Sequence, residues 1–288
     1  MPNSKSISIS KVTRYQNAAL NYYLGLTDSP YLHYGYWEPI PAGTEELTIG
    51  RLRAAQAAYT AKLVNFIPEQ VKTVLDVGCG TGGNAAYLLD RGFSVEGLAP
   101  DSFQQERFLK CTGDRAIFHL TNFENFKATH SYDLVLLSES SQYMAAVDIA
   151  KGAANILNSG GYLLLADMMR SDANYQEGMF SNCHVVTELN AALVQAGFTL
   201  VKSEDISAQT LPTIDLYVDT FRRYGLNTMI YVADLIAIAV PPVYKLLRWI
   251  FRRWFKKLVV EGLEARQLFE RHLCYEIQLW QLSELVER

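Results

Sequence analysis

The side chains that could do chemistry begin with a carboxylate followed by closely spaced glycines. Asp76 stands near the end of the apolar run 74–77, and Gly78, Gly80 and Gly82 follow it. Glycine has no Cβ, so a ligand can approach this backbone closely. The turn leaves free N–H groups at the start of a helix, and these favour a polar or anionic ligand group. The stretch therefore predicts a strand, a glycine turn and a helix that bind a nucleotide-type cofactor.

Three kinds of cofactor site compete for this stretch. A phosphate-binding P-loop would end in Gly-Lys-Ser/Thr, and residues 73–90 contain no lysine. A dinucleotide site would place an acid at the end of the second strand. Ala99 stands there instead, and the nearest acid is Asp101. The third kind, a methyl-donor site, rests on a family resemblance that extends beyond the glycines.

The segment V-L-D-V-G-C-G-T-G-G, residues 74–83, resembles the first motif of the class I S-adenosylmethionine-dependent methyltransferases. Residues 122–126 and 131–135 are similar to the third-strand and fourth-strand signatures of that family, and residues 157–167 resemble its Gly-Gly turn and fifth strand. Residues 32–37 resemble the lead-in of small-molecule and lipid-type members, such as the tocopherol and sterol methyltransferases. The resemblance implies a methyltransferase with S-adenosylmethionine as its cofactor.

The resemblance also implies which residues bind the cofactor. The glycine turn would pass close to its methionine part, and Asp76 would bind its amino group, because a carboxylate complements an ammonium. Asn122 would contact the adenine amine. Ala99 occupies the place of the family's ribose-binding acid, so Asp101 or Gln104 is expected to make that contact. The full expected set is Asp76, Gly78, Cys79, Gly80, Gly82, Asp101, Asn122 and Ser138.

The catalytic residue is less constrained, because methyl transfer is an in-line displacement that positioning alone can accelerate. A base is needed only where the acceptor must lose a proton early. Glu139, after the fourth strand, is a candidate base or substrate ligand, and capping the next helix is an equal alternative. His184, after the fifth strand, is a second candidate base. His33 and Tyr36 are candidates in an aromatic loop, where tyrosine rings could close over the sulfonium or simply pack together.

These residues need a scaffold that gathers strand ends at one edge. The nearly continuous apolar runs 133–137 and 162–166 fit strands buried on both faces of a parallel sheet. Alternating strands and helices predict an α/β fold, a doubly wound Rossmann-like sheet of seven mostly parallel strands with an antiparallel last strand. The strand candidates are Thr73–Val77, 93–98, 116–120, 132–137, 162–166, 198–204 and 275–279, and the helix candidates are 11–24 (ending at Gly25), 47–66, 84–90, 102–111, 144–157 and 188–196.

The predicted domain organisation has three parts. Residues 1–70 form a helical N-terminal cap whose first ten residues are loose, and residues 71–208 with 272–288 form the methyltransferase core. Residues 209–271 form a helical lid inserted before the last strand, over the edge where a substrate would sit. An apolar lid implies an apolar or amphipathic acceptor, such as a lipid, a prenyl compound or a polyketide-like metabolite.

Residues 235–260 contain no acid but carry six cations at helical spacing, opposite apolar side chains. The pattern predicts a basic amphipathic helix at 244–258 and an anionic membrane surface as its partner. Packing on the sheet as an ordinary lid and contact within a homodimer are the alternatives. The cations are Lys245, Arg248, Arg252, Arg253, Lys256 and Lys257, and the apolar side chains are Leu246, Leu247, Ile250, Phe251, Trp254, Phe255 and Leu258.

Composition limits the remaining choices. Of 288 residues, 49% are hydrophobic, which is enough for a large core, and the net charge of −4 argues against general affinity for nucleic acid. No cysteine pair or acid–histidine cluster has metal-ligand spacing, and no signal-peptide pattern is seen, so a cytoplasmic protein without a metal is expected. Two alternatives omit methyl transfer: a methyltransferase-like cyclase or structural protein, and a membrane-associated binding or assembly protein.

Overall fold

The computed structural model describes residues 20–43 and 46–283. Its strands are β1 (Thr73–Val77), β2 (Ser94–Ala99), β3 (Ile117–Leu120), β4 (Tyr132–Ser138), β5 (Leu157–Arg170), β6 (Phe198–Asp205) and β7 (Leu273–Leu282). They form one sheet in the order β3-β2-β1-β4-β5-β7-β6, in which β7 runs antiparallel to β5 and β6 and the other pairs are parallel. The predicted mostly parallel, seven-stranded sheet with an antiparallel last strand is confirmed.

Helices cover both faces of this sheet. They are α1 (20–27), α2 (Ile49–Val64), α3 (Gly83–Leu89), α4 (Ser102–Thr112), α5 (Ala146–Ile156), α6 (Val186–Gln195), α7 (Ser207–Thr220), α8 (Asn227–Ala239), α9 (Pro241–Leu263) and α10 (Ala265–His272). Alternate residues of β4 show the two layers, since Leu134 and Leu136 pack with α2 while Val135 and Leu137 pack with α5 and α6. The layers thus hold the carboxyl ends of β1 and β4 side by side.

Several predicted boundaries were wrong, among them the end of the first helix and the start of the fifth strand. Gly25 does not end the first helix, which continues through residue 27. The left-handed residue that closes it is Asp28, with φ 47° and its N–H bonded to the carbonyl of Leu24 at 2.8 Å. The fifth strand begins at Leu157 rather than Tyr162, so the helix before it ends at Ile156. Residues 1–19, which include the predicted loose terminus and most of the 11–24 helix, lie outside the described residues.

The aromatic segment, residues 31–37, is an irregular loop that α2 and α7 hold from two sides. The N–H of Tyr36 donates to the carbonyl of Ala55 in α2 at 2.8 Å. On the other side, Thr213 in α7 accepts two hydrogen bonds on Oγ1, from the Gly35 N–H at 3.0 Å and from Trp37 Nε1 at 2.9 Å. Trp37 is therefore a buried anchor of the aromatic segment.

Replacing Thr213 by Val should destabilise the fold by about 2–6 kcal/mol, because two buried donors lose their acceptor at a cost of about 1–3 kcal/mol each. Valine keeps the shape of threonine, so the loss reports the hydrogen bonds. Urea denaturation measures the effect, and Thr199→Val at an exposed position of β6 is the matched control. Equal stability of the two variants would contradict this account of how the aromatic segment is held.

The insertion before β7 is unevenly buried. Ile214 and Leu216 in α7 and Phe269 in α10 are buried, whereas no described side chain of α8 or α9 is buried. The described apolar side chains of α9 therefore do not pack on the sheet, while Trp254, Phe255 and Leu258 of that face lie outside the described side chains. In the described chain no helix combines the length and the apolar character needed to cross a bilayer. The division into cap, core and lid stays a prediction.

Candidate cofactor and acceptor site

A cavity of about 1000 Å³ opens at the carboxyl ends of β1, β2 and β4. Its volume is at the upper end of the range usual for ligand pockets, which run to about 1,000 Å³. The N-terminal segment closes one side, through residues of α1 and of the loop 30–33. Most of the predicted site residues meet here: Asp76, Gly78, Cys79, Gly80, Asp101, Asn122, Ser138, Glu139 and His33.

The glycine turn is shaped by two contacts that a side chain would block. Gly78 has φ 73°, and a Cβ there would lie 2.4 Å from Cβ of Ser140. Gly82 has φ 91° and is the N-cap residue just before α3, and a Cβ there would lie 3.1 Å from Phe108. Gly78 therefore lets the loops after β1 and β4 meet, while Gly82 packs against α4. Gly82 is not among the described residues that line the cavity, so its role is to shape the turn.

Asp76 is the strongest indication of a cationic ligand. Its side chain is buried, and Oδ2 has no hydrogen-bond partner among the described residues. Burial raises the pKa of this carboxyl to about 7. A buried carboxylate without a partner is costly, and an ammonium group in the adjoining cavity would remove that cost. The site therefore fits a cofactor that carries an amino group, as the sequence resemblance implies.

The predicted ribose and adenine contacts lie along the same cavity. Asp101 caps α4, accepting a hydrogen bond from the Phe103 N–H at 2.9 Å, and it also lines the cavity. Gln104, within the first turn of that helix, is a neighbouring lining residue. Asn122 lines the cavity and accepts a hydrogen bond on Oδ1 from Asn125 at 3.3 Å. The polar groups are thus in place, and the contacts themselves stay predictions.

Glu139 sits at the junction of β4 with this cavity, in a left-handed conformation (φ 53°). Its Oε1 accepts two hydrogen bonds, from the Tyr34 N–H and from the Tyr275 hydroxyl, each at 2.7 Å. Burial, reinforced by the charge of Asp167, raises the pKa of Glu139 to about 8. The next α-helix begins after Ala145 with no side-chain cap, so the capping role expected as an alternative was wrong.

Sequence reasoning missed the tyrosines behind Glu139. The hydroxyl of Tyr59 in α2 lies 2.8 Å from that of Tyr275, which donates to Glu139. Tyr59 also reaches Ser138 Oγ at 3.3 Å. These residues are far apart in sequence and belong to no local motif. The one available signal was the alternation in β7, which places Tyr275 on the same face as Ile277.

Asp167, three residues before the end of β5, is another residue to which sequence reasoning gave no role. It accepts hydrogen bonds on Oδ2 from both the N–H (2.9 Å) and the hydroxyl (2.6 Å) of Ser141. Burial raises the pKa of Asp167 to about 6, and these bonds act against the rise. The ring of His184 also contacts Ser141, with Nε2 3.0 Å from its carbonyl. Both groups therefore hold the loop that follows Glu139.

The other catalytic candidates, His33, Tyr36 and His184, lie where a structural role is favoured over proton transfer. His33 is buried, its ring stacks on Tyr59, and Nδ1 lies 2.8 Å from the Tyr34 carbonyl, which can only accept. Burial lowers the pKa of His33 to about 4. Tyr36 and His184 are not among the described cavity-lining residues, and Lys62 lies over the Tyr36 ring. The described residues contain no group of three His, Cys, Asp or Glu side chains arranged to hold a metal ion.

Comparison with known proteins places these features in context. A family model described as a methyltransferase domain matches residues 51–203. Among relatives, methyltransferase GfsG of Streptomyces halstedii is 28% identical over 201 residues, covering 63% of this chain and 70% of that protein. The 27-O-demethylrifamycin SV methyltransferase of Amycolatopsis mediterranei is 27% identical over 202 residues, covering 63% and 71%. The cyclopropane synthase MmaA2 of Mycobacterium tuberculosis shares the fold, with a TM-score of 0.69 and 16% identity over 97% of this chain and all of that one.

Proposed function

Because the chain belongs to the S-adenosylmethionine-dependent methyltransferase family, we propose that its methyl acceptor is an uncharged, hydrophobic small molecule. The cofactor supplies an electrophilic methyl group carried on a sulfonium. Asp76 and the glycine turn bind and orient its amino-acid part. The rest of the cavity excludes water and aligns the acceptor, which is where most of the acceleration of a displacement reaction can arise.

The observation that carries this proposal is the composition of the cavity walls outside the cofactor-binding residues. The wall from the N-terminal segment is aromatic and aliphatic, and a second wall, from the segments that follow β3 and β4, is of similar character. Apolar walls with few polar groups are typical of sites for organic small molecules. The first wall carries Leu20, Tyr22, Tyr23, Tyr31 and Leu32, and the second carries Phe123, Tyr143 and Met144.

Charge further narrows the class of acceptor. No Lys or Arg is found among the cavity-lining residues of the described chain, whereas four carboxyl groups are. A phosphate or carboxylate on the acceptor would meet no cationic partner and would face acidic neighbours, which is unfavourable in a partly desolvated site. This supports neutral acceptors, such as prenyl, lipid or polyketide-like alcohols. One relative is named for 27-O-demethylrifamycin SV, an organic small molecule.

The experiment supplies methyl-labelled S-adenosylmethionine with paired acceptors, each a lipophilic alcohol and its phosphate ester. Label is expected in the alcohols and at least tenfold less in the phosphates. The Asp76→Asn variant, which should not hold the cofactor well, is the control for background transfer. Preferential labelling of the phosphates would overturn the proposed acceptor class.

The alternatives without methyl transfer are not favoured. The family model that matches 51–203 is a methyltransferase model, and the relatives cited above are methyltransferases. A cyclase or an assembly protein would keep the fold but would not transfer label to any acceptor.

A further inference from the structure

The exposed helix pair, α8 and α9 (Asn227–Ala239 and Pro241–Leu263), is apolar without being buried. Most of the exposed large hydrophobic side chains in the described chain lie on it or beside it. Ile238 and Trp249 are each 79% exposed. Scattered apolar side chains are ordinary on protein surfaces, but a concentration of this kind marks an interaction surface.

The exposed helix pair also carries a dense cluster of positive charge. Six Lys and Arg side chains between residues 245 and 257 are all exposed, and residues 235–260 contain no acid although the whole chain has a net charge of −4. Within the described ion pairs of α9, Lys257 alone meets a carboxylate, that of Glu261 at 3.6 Å. The helix thus presents positive charge to a partner that must be negative.

Positions along α9 place the two kinds of side chain on opposite faces. Residues spaced by three or four share a face of an α-helix. One face carries Lys245, Arg248, Arg252 and Lys256, and the other carries Val243, Leu247, Ile250 and Phe251. The side chains of Trp254, Phe255 and Leu258, which the sequence places on the apolar face, lie outside the described part.

From this combination we propose that the exposed helix pair binds the surface of an anionic lipid bilayer and lies along it. A helix with cations on one face and aromatic and aliphatic side chains on the other can place its apolar face at the headgroup boundary, while its cations meet the anionic headgroups. A second copy of this chain fits less well. It would bring the same row of cations, with no acid between residues 235 and 260 to pair with them.

This inference goes beyond the proposed function and can be tested separately from it. None of the cavity-lining residues of the described chain belongs to α8 or α9. Changes on the exposed surface of α9 should therefore leave cofactor affinity unchanged. That affinity then serves as the check that each variant is folded.

The test is flotation of the full chain with vesicles of phosphatidylcholine alone or of phosphatidylcholine with phosphatidylglycerol. The charge variant is Arg248→Glu/Arg252→Glu/Lys256→Glu. Its matched control is Lys110→Glu/Lys127→Glu/Lys151→Glu, which makes the same change in net charge at exposed positions elsewhere. A third variant, Leu247→Ala/Ile250→Ala, removes part of the apolar face without changing charge.

Wild type should float with the vesicles that contain phosphatidylglycerol and be released by high salt, because salt screens the headgroup attraction. The charge variant should bind these vesicles about a hundredfold or more weakly, the apolar variant should bind less well, and the control should bind as wild type does. The proposal is overturned if wild type fails to float with anionic vesicles, or if the charge variant and its control bind equally. It is also overturned if the α9 variants only convert a dimer to a monomer in size-exclusion chromatography with light scattering.

Discussion

Replacing Asp76 by Asn should weaken S-adenosylmethionine binding by about 10- to 100-fold. A hydrogen bond to a charged partner contributes about 1.5–3 kcal/mol, and about 1.4 kcal/mol corresponds to tenfold in affinity. Asparagine keeps the size of aspartate but cannot neutralise the ammonium. Titration calorimetry measures the affinity, with Asp114→Asn as the matched exposed control. Unchanged affinity in Asp76→Asn would mean that Asp76 does not bind the cofactor's amino group.

The same residue predicts how affinity depends on pH. The pKa of Asp76 in the free protein is raised to about 7, so at lower pH the carboxyl is mostly protonated. The cofactor's ammonium favours the ionised form, so binding near neutral pH should release a proton. Affinity should rise as pH increases through about 7, then fall above about 8, where an α-amino group loses its own proton. Calorimetry in buffers of different ionisation enthalpy detects the released proton, and Asp76→Asn should lack the rising limb.

Stability of the free protein should follow the opposite trend. Because the folded-state pKa of Asp76 lies above the ordinary value of 3.8, its contribution is fully present below that value and is lost as pH rises through about 7. At higher pH the wild type therefore buries an unpaired carboxylate, which costs more than an unpaired amide. The free Asp76→Asn variant should then be at least as stable as wild type, so weaker binding cannot be attributed to unfolding.

Replacing Glu139 by Gln should lower kcat by about 10²- to 10⁴-fold for a hydroxyl acceptor, the usual contribution of a positioned general base. Both described hydrogen bonds of the carboxyl fall on Oε1, which leaves Oε2 to take the acceptor's proton. Since the pKa of Glu139 in the free protein is raised to about 8, wild-type kcat/KM should rise with pH through about 8. The Glu139→Gln variant should lose this rising limb of the pH profile, while its affinity for the cofactor is retained.

A partner variant separates proton transfer from positioning. The Tyr275 hydroxyl bond acts to lower the pKa of Glu139, so Tyr275→Phe should move the rising limb to higher pH without abolishing it. The control is Glu124→Gln, because Glu124 is an exposed acid on the same cavity. If Glu139→Gln retains kcat within a few-fold, Glu139 only positions the aromatic segment, since glutamine can still accept both hydrogen bonds.

Local chemistry explains how much of the fold the sequence predicts. Buried parallel strands need continuous apolar residues, and runs such as 133–137 have them. The helix end at Gly25 was misjudged because a glycine is only one way to supply a left-handed residue, and Asp28 supplies it here. Conformational propensity indicates which residue types can adopt the left-handed conformation at a helix end. The surrounding packing decides at which position the helix ends.

The donor side of the site depends mostly on neighbours in sequence. Asp76, Gly78 and Gly80 lie within five residues, so one strand and one turn are sufficient to bring them to the cavity. The sequence by itself therefore determined the family, the sheet and the residues expected to hold the cofactor. Gly82 is different, because it packs against Phe108 of α4 and is not among the described residues that line the cavity.

Tertiary structure decided what lies around the acceptor and what faces the solvent. Glu139 meets Tyr34 and Tyr275 across separations of 105 and 136 residues, and the burial that raises its pKa exists only after α2, β4 and β7 pack together. The pattern in α9 gave the basic amphipathic helix, but an apolar face can be buried in a core or remain exposed. The outcome depends on whether the rest of the protein has an uncovered apolar surface on which the helix can pack. In the described chain α9 remains exposed.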